Sequence, residues 1–372
     1  MGLMNQNLLK SISLQQFRSY SSYHLVFEKP TTVLIGPNAV GKTSILEAIA
    51  LVSTGGSFRA TKIDQMIAFE QVLSRVKAVI EELSTGALSE NEDLELEILL
   101  TKGMVQGKRT QKRLYSVNGV RRRRKDFVGK LLTVVFRPED LRLIEGSPSR
   151  RRTYLDTPLV SLSRSYDIAL STYDKALRQR NKLLEQVRER SAPATTLHYW
   201  NQTMLKHGTI LQEQRRLFTS FINTVAFPLG FSIEYQPSII SEERIEEYQP
   251  RSIAAGHTLI GPHKDDFIVN LRPPQPKQNT PDMFDVATYG SRGQQRMAVL
   301  WLKVAEQAYI KQQTDQQPLL LLDDILSELD PDVRAKVLEL LPGSQSIITS
   351  ADATILPEIE RVAEDFQIII LE

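Results

Sequence analysis

Gly36-Pro37-Asn38-Ala39-Val40-Gly41-Lys42-Thr43 has the spacing G-x-x-x-x-G-K-T, and Ser44 follows it. Glycines at these places let the backbone curl until its N–H groups, with those opening the next helix, face an anion. Lys42 is expected to reach the β- and γ-phosphates of a nucleotide and so to act in catalysis, and the Thr43 hydroxyl to ligate Mg²⁺. The flanks agree. Thr31-Thr32-Val33-Leu34-Ile35 reads as a β-branched strand, and Ser44-Ile45-Leu46-Glu47-Ala48-Ile49 reads as a helix. Strand, loop and helix in that order are the setting the motif requires. The expected nucleotide cradle therefore runs from Gly36 to Ser44.

Such a loop needs a carboxylate on the neighbouring strand to hold the metal. Pro318-Leu319-Leu320-Leu321-Leu322 is wholly apolar, as a buried parallel strand is, and ends in Asp323-Asp324. Two adjacent acids repel each other and serve packing poorly, but they divide naturally as chemistry. Asp323 holds Mg²⁺ through water, and Asp324 polarises the attacking water beside the γ-phosphate. About 280 residues separate the two motifs, so something large is inserted between them. Upstream of the apolar strand stands Tyr289-Gly290-Ser291-Arg292-Gly293-Gln294-Gln295-Arg296, running into Met297-Ala298-Val299-Leu300-Trp301-Leu302 as a helix. Ser291, Gly293 and Gln294 are open to two readings. They form an ordinary helix cap, or a second anion site that closes over the γ-phosphate of another subunit.

The total charge of +2 hides a local field. Lys102 to Lys125 contains ten basic residues and no acid, while 81–97 and 242–247 are acidic. Leu114-Tyr115-Ser116-Val117 leads into Asn118-Gly119 and then Val120, a type I′ hairpin signal because both turn positions need positive φ. Its cations are Lys112, Arg113, Arg121, Arg122, Arg123, Arg124 and Lys125. They make either a solvated face or a surface on which a DNA backbone releases counterions.

The fold class expected is α/β. Residues 1–135 read as the first part of a nucleotide-binding head, 136–256 as an inserted helical arm and 257–372 as the rest of the head. Two long helices, 161–190 and 196–226, flank Ser191-Ala192-Pro193-Ala194 and should fold back as an antiparallel hairpin. Their apolar stripes are Tyr166, Ala169, Tyr173, Leu177, Leu184 and Val187, broken at Arg180, and Leu197, Trp200, Met204, Leu211, Phe218, Phe221 and Val225. Arg272-Pro273-Pro274-Gln275-Pro276-Lys277-Gln278 reads as an exposed loop. With no cysteine, a disulfide framework and a thiolate metal site are excluded. No apolar run approaches the roughly 18 residues of a membrane span, and the N-terminus lacks the pattern of a signal peptide, so a cytoplasmic protein is expected. His263, in Gly261-Pro262-His263-Lys264-Asp265-Asp266, reads first as a structural residue in a tight turn. Arg150, Arg151 and Arg152 are open to DNA or nucleotide contact, or to an interdomain ion pair with Asp156.

The order P-loop, S-x-G-Q, apolar strand with two acids, then Ser327-Glu328-Leu329-Asp330 resembles the ATPase head of the ABC superfamily. The chain is more narrowly similar to the SMC-like branch that works on DNA, and most to the RecF family. That similarity covers nearly the whole length and includes Phe17-Arg18-Ser19-Tyr20, Ser57-Phe58-Arg59, Phe136-Arg137-Pro138-Glu139-Asp140-Leu141 and Ser149-Arg150-Arg151-Arg152. It implies an ABC-type head with an antiparallel β region and a helical-hairpin arm. It also implies an ATP- and Mg²⁺-dependent, nucleoid-associated homodimer that binds DNA, hydrolyses ATP slowly and helps load recombinase, with RecO and RecR, at gapped or stalled replication sites. By position, Arg18 approaches the nucleotide; Ser291, Gly293 and Gln294 act in trans; and Ser327 and Asp330 form the loop that senses the other subunit. Two places depart from the ABC pattern. The lid position carries Arg137-Pro138-Glu139-Asp140 and no clear Gln, and Ser350, after Ser346-Ile347-Ile348-Thr349, stands where transporters carry a switch histidine. Thr349 and Ser350 are left to donate a hydrogen bond there. An SMC protein would need hundreds of residues of heptads, a transporter subunit would need the histidine, and an inert DNA module would show a damaged site. The motifs fit none of these.

Overall fold

The computed structural model describes residues 7–82, 92–272, 283–363 and 365–372. From Pro273 on, the expected Pro-rich loop lies outside the described residues. The first strands and helix are β1 (Leu8–Phe17), β2 (Tyr20–Val26), β3 (Thr31–Ile35) and α1 (Lys42–Thr54). Next come β4 (Leu73–Glu82), β5 (Glu92–Thr101), β6 (Met104–Val105), β7 (Lys108–Arg109), β8 (Arg113–Val117), β9 (Val120–Arg122) and β10 (Thr133–Phe136). The middle holds α2 (Pro148–Leu162), α3 (Arg164–Arg188), α4 (His198–Ile222), β11 (Gly230–Gln236), α5 (Glu242–Ala255), β12 (Asp266–Arg272), β13 (Phe284–Asp285) and α6 (Val286–Tyr289). The chain finishes with α7 (Arg292–Thr314), β14 (Leu319–Asp323), α8 (Pro331–Leu338), β15 (Ser346–Ser350), α9 (Leu356–Glu360) and β16 (Phe366–Ile370). No described helix is long and apolar enough to cross a membrane.

Two compact units result: Met1–Leu141 with Glu306–Glu372, and Arg142–Ala305. The expected boundary at 256/257 is therefore corrected. Residues 257–305 belong with the helices, because β12 pairs with β11 from Gly230↔Arg272 to Gln236↔Asp266 and buries Phe267, Val269 and Leu271 there.

Besides the short β6-β7 pair, the first unit carries two larger sheets among the described residues. One is parallel, in the order β10-β14-β15-β3-β16; the other is antiparallel, in the order β2-β1-β4-β5-β8-β9. Leu319 to Leu322 are all buried, as a strand with neighbours on both sides requires. In the antiparallel sheet, Val76, Ala78 and Ile80 face the core beside Leu94, Leu96, Ile98 and Leu100. The alternate positions face outward, where Lys77 meets Glu95 at 2.6 Å and Arg75 meets Glu97 at 3.4 Å. Part of the acidic stretch thus neutralises its own sheet. Ile45, Leu46, Ile49 and Val52 of α1 belong to the same core.

In the second unit α3 and α4 form the antiparallel hairpin: Tyr166 meets Arg215, Tyr173 lies against Gly208 and Arg180 bonds Asn201. The first helix starts later than 161, because Leu162 ends α2 and the Ser163 hydroxyl caps α3 by accepting from Tyr166 N at 3.2 Å. Arg180, the break in the stripe, is itself buried. It donates to Asn201 Oδ1 at 2.7 Å and Thr258 Oγ1 at 2.8 Å, and burial pushes its pKa down to about 10.

A buried polar hub holds this unit. Asp265, fully buried, accepts from Gln212 Nε2 at 2.9 Å, Ser238 N at 2.8 Å, an Arg215 NH1 at 2.8 Å and the Tyr235 hydroxyl. Arg215 also donates to Pro262 O and to both oxygens of Asp156. The partner of Asp156 is therefore Arg215 and not the 150–152 cluster. Arg151 instead forms a two-point pair with Asp266, and Arg152 donates to Asp265 O. His263 has the structural role expected. Its Nε2 faces Thr258 O at 3.2 Å and must donate to it, which leaves Nδ1 to accept from the Tyr173 hydroxyl at 2.8 Å.

Removing Arg215 strands the buried carboxylate of Asp265 and the partly buried one of Asp156, so Arg215→Ala should lower unfolding free energy by about 3–5 kcal/mol in urea titrations. Burial pushes His263 down to about 4 from 6.5. Between those values the unfolded chain takes up a proton that the folded chain refuses, so this residue's contribution is lost as pH falls from 6.5 towards 4. Denaturation of the parent and of His263→Gln across that range should diverge by about 2–3 kcal/mol.

Candidate nucleotide-binding site

The cradle forms where β3 ends and α1 begins. Ala39 (φ 71°) and Gly41 (φ 115°) take the left-handed turns that curl the loop. A Cβ on Gly36 would lie 2.5 Å from Leu371 O, and one on Gly41 2.5 Å from the Tyr20 hydroxyl, so side chains are excluded at both. The Lys42 ammonium donates to Gly36 O at 2.5 Å and Pro37 O at 3.0 Å, lying across the loop mouth. Asn38, Ala39, Gly41, Lys42, Thr43 and Ser44 line a cavity of about 1060 Å³ together with Arg18, Glu139, Asp323 and Asp324. Gly36, Pro37 and Val40 do not line it: the first packs on Leu371, the second turns its carbonyl to Lys42, and the Val40 side chain packs on the core.

The two acids come from a strand that is not the neighbour of β3, contrary to expectation: β15 lies between β14 and β3. The gap is closed by side chains. Thr43 Oγ1 donates to Asp323 Oδ1 at 2.8 Å, and Thr349 Oγ1, from β15, donates to the same oxygen at 3.2 Å. Thr349 also accepts from Asp324 N at 2.8 Å, so its hydrogen bonds set the strand end. Asp324 has left the strand with φ 49°, and the Ser327 hydroxyl donates to its carbonyl at 2.8 Å and to its Oδ1 at 3.3 Å. Asp330 is the N-cap residue of α8. Ser350 accepts from Asp352 N through its hydroxyl at 3.4 Å. Burial raises the pKa of both acids; Thr43 and Thr349 pull Asp323 back, and Ser327 and Lys42 do so for Asp324.

A magnesium ion fits this donor set. The hydroxyl and carboxylate that would share it already touch, and both are the hard oxygen ligands the ion takes. Among the described residues no group of three or more acids or histidines could hold a metal alone, and magnesium in such sites keeps phosphate and water ligands. At the lid, Asp140 is engaged by Arg137 through its backbone N at 3.0 Å and guanidinium at 2.9 Å. Glu139 is the lid acid that lines the cavity, and it adds to the upward push on Asp323.

Arg18 lies in the cavity wall as expected, but its partner was not foreseen. It is left-handed (φ 54°) and pairs through two nitrogens with the buried Glu47 of α1, at 2.8 and 2.6 Å, while donating to Gln65 O at 2.6 Å. The Ser57 hydroxyl donates to the same Glu47. The signal was present in the sequence: Glu47 is an acid inside the apolar helix I-L-E-A-I.

Ser291, Gly293 and Gln294 belong to the second unit. There Ser291 Oγ accepts from Gln294 N at 3.2 Å, and Gln294 Oε1 accepts from Ser291 N at 2.9 Å, a reciprocal cap. The basic hairpin folds as expected, with Val117 opposite Val120 and Asn118 and Gly119 at φ 49° and 72°. Arg124 departs from it. It opens a 3₁₀ turn and donates to Thr54 O at 2.8 Å, satisfying a carbonyl at the end of α1. Lys112 sits 3.7 Å from Asp64, and Lys125 is half-buried.

Fold and site together define a P-loop ATPase head of ABC type. The family model described as RecF/RecN/SMC N terminal domain matches residues 8–367. The DNA replication and repair protein RecF of Lachnoclostridium phytofermentans is 33% identical over 357 residues, 92% of each chain. That of Thermomicrobium roseum is 33% identical over 391 residues, 94% of each. A structure of the recombination mediator protein RecF with ATPrS superposes with a TM-score of 0.81 at 27% identity, covering 95% of both chains. The Smc head domain of Pyrococcus furiosus shares the fold, with a TM-score of 0.50 at 17% identity. The chain belongs to the RecF family of DNA replication and repair proteins.

If Glu47 holds Arg18 in place, Glu47→Gln and Arg18→Ala should each weaken binding of a fluorescent ATP analogue about tenfold. The double variant should be no weaker than the worse single, because both changes remove one interaction.

Proposed function

We propose that the chain is an ATP-driven DNA clamp acting in recombinational repair, with ATP and Mg²⁺ as ligands and RecO and RecR in the same pathway. The observation that carries this reading is the joining of Thr43 to Asp323, with Asp324 held at the same cavity by Thr349 and Ser327. ATP is the nucleotide because related RecF structures were determined with ATP and ATPrS.

Lys42 leaves the loop carbonyls for the β- and γ-phosphates, exchanging neutral acceptors for charged ones. Thr43 and Asp323 hold the magnesium ion, which when bound neutralises charge building on the γ-phosphate. Asp324 orients a water and accepts its proton as the water attacks the γ-phosphorus, while the bond from that phosphorus to the β–γ bridging oxygen breaks and ADP leaves. Ser291, Gly293 and Gln294 of a second copy exchange their mutual cap for γ-phosphate oxygens, so the triphosphate joins two subunits. Ser327 and Asp330 carry the state of one site to the other. Hydrolysis removes the bridge, and the dimer releases DNA held by its basic hairpin. Turnover is slow, and DNA stimulates it.

Light scattering tests the switch. Asp324→Asn should be a monomer alone and a dimer with ATP and Mg²⁺; Asp324→Asn with Ser291→Arg, and Lys42→Met, should stay monomeric. ATPase should fall at least about a hundredfold in Asp324→Asn and Lys42→Met. A monomer throughout, or normal turnover in either, overturns the reading.

A further inference from the structure

The arginines of the hairpin do not form a flat face. Arg113, Arg121, Arg122, Arg123 and Arg124 surround a recess of about 450 Å³, completed by Gln111, Leu114 and Tyr115. Five guanidinium groups share this wall with no carboxylate in it. Mutual repulsion should splay such side chains into water unless something holds them or something binds between them.

Part of the wall is held. Arg124 is fixed to Thr54 O at 2.8 Å, and the Tyr115 hydroxyl, on a ring that is only 6% exposed, reaches Gly55 O at 3.5 Å. Arg121 is held by Gln111 Oε1 at 2.8 Å. The rest is not compensated. Arg113 Nε is buried with no hydrogen-bond partner. Arg122 and Arg123 are exposed, on and just beyond an edge strand, and their side chains make no hydrogen bond or ion pair among the described residues. A buried N–H of a cation without an acceptor is costly, and it marks where an acceptor belongs.

We propose that this recess is a phosphate subsite, in which Arg113, Arg122 and Arg123 grip one or two backbone phosphates of DNA. It rests on the DNA-clamp reading and deepens it: DNA meets a built pocket, not a diffuse basic surface. Planar guanidinium forks suit phosphate oxygens in pairs, which lysines do not. Leu114 and Tyr115 complete its lining.

The test compares two changes of equal charge in the full-length protein. Arg122→Gln/Arg123→Gln removes two cations from the recess. Lys108→Gln/Arg109→Gln removes two from the exposed β6–β7 turn outside it. Binding of a fluorescein-labelled DNA duplex is titrated from 50 to 200 mM salt with ATP and Mg²⁺ present. Arg122→Gln/Arg123→Gln should weaken binding at least about tenfold and flatten the log–log salt slope by about 0.9 to 1.8, at about 0.9 for each phosphate no longer neutralised. Lys108→Gln/Arg109→Gln should change affinity less than about threefold. Arg113→Gln, which removes the orphaned Nε, should act like the recess variant in affinity while ATP-dependent dimerisation persists. Equal losses in the two doubles would make the region a diffuse basic face, and no loss in the recess variants would remove it from DNA binding. Either result overturns the pocket and leaves the clamp standing. A parent protein that fails to bind the duplex at all overturns the clamp reading itself.

Discussion

The hydrogen bond from Thr43 to Asp323 joins residues 280 positions apart and depends on strand register. Asp323 lies opposite Thr349, and Thr349 lies opposite Leu34, so the last residue of β14 and the next-to-last residues of β15 and β3 form one row. The phosphate loop and the acid pair leave the sheet from that row, at the carboxyl ends of parallel strands, where open α/β sheets place ligands. A slip of one residue in either ladder would turn Asp323 to the opposite face and part it from Thr43. Because Leu319 to Leu322 are buried on both faces, the core penalises any such slip.

Around that row, similar acids are separated by small differences in backbone and partners. Asp323 ends a strand and takes two hydroxyls, whereas Asp324 turns into left-handed backbone and takes Ser327. Asp140 is neutralised by Arg137 next to it in the lid, while Glu139 faces the cavity. Arg18 and Glu47 tie the β1–β2 turn to the helix that follows the P-loop, so the wall beside the nucleotide and the phosphate cradle share one ion pair. Its carboxylate is fully buried, which makes the pairing strict.

The helical unit relies on polar groups more than its apolar stripes suggest. Arg180 and Arg215 are buried where helix periodicity alone would place aliphatic side chains, and Asp265 is buried in the turn that leads into β12. Each such group loses hydration on burial and must recover it from partners with the right geometry, which few alternative packings supply. The motif Gly261 to Asp266 supplies many of them: Gly261 turns with φ 117°, Pro262 presents its carbonyl to Arg215, and Asp265 gathers four donors.

Sequence alone determined the P-loop, the apolar strand with its two acids, the S-x-G-Q helix start, the Asn-Gly hairpin and the paired long helices. These are local: a loop, a strand, a turn or a helix is set by residues within a few positions of one another, and spacing records them directly. Tertiary structure decided which strands lie side by side, and so put β15 between the two motif strands. It also moved residues 257–305 to the helical unit, paired Asp156 with Arg215, gave Arg18 the buried Glu47, and drew Arg124 out of the basic hairpin to the end of α1. In each case the partner is distant in the chain and the choice follows from burial, where an unpaired charge or carbonyl is expensive and whichever complement lies within reach is taken. Spacing along a sequence carries no record of that reach.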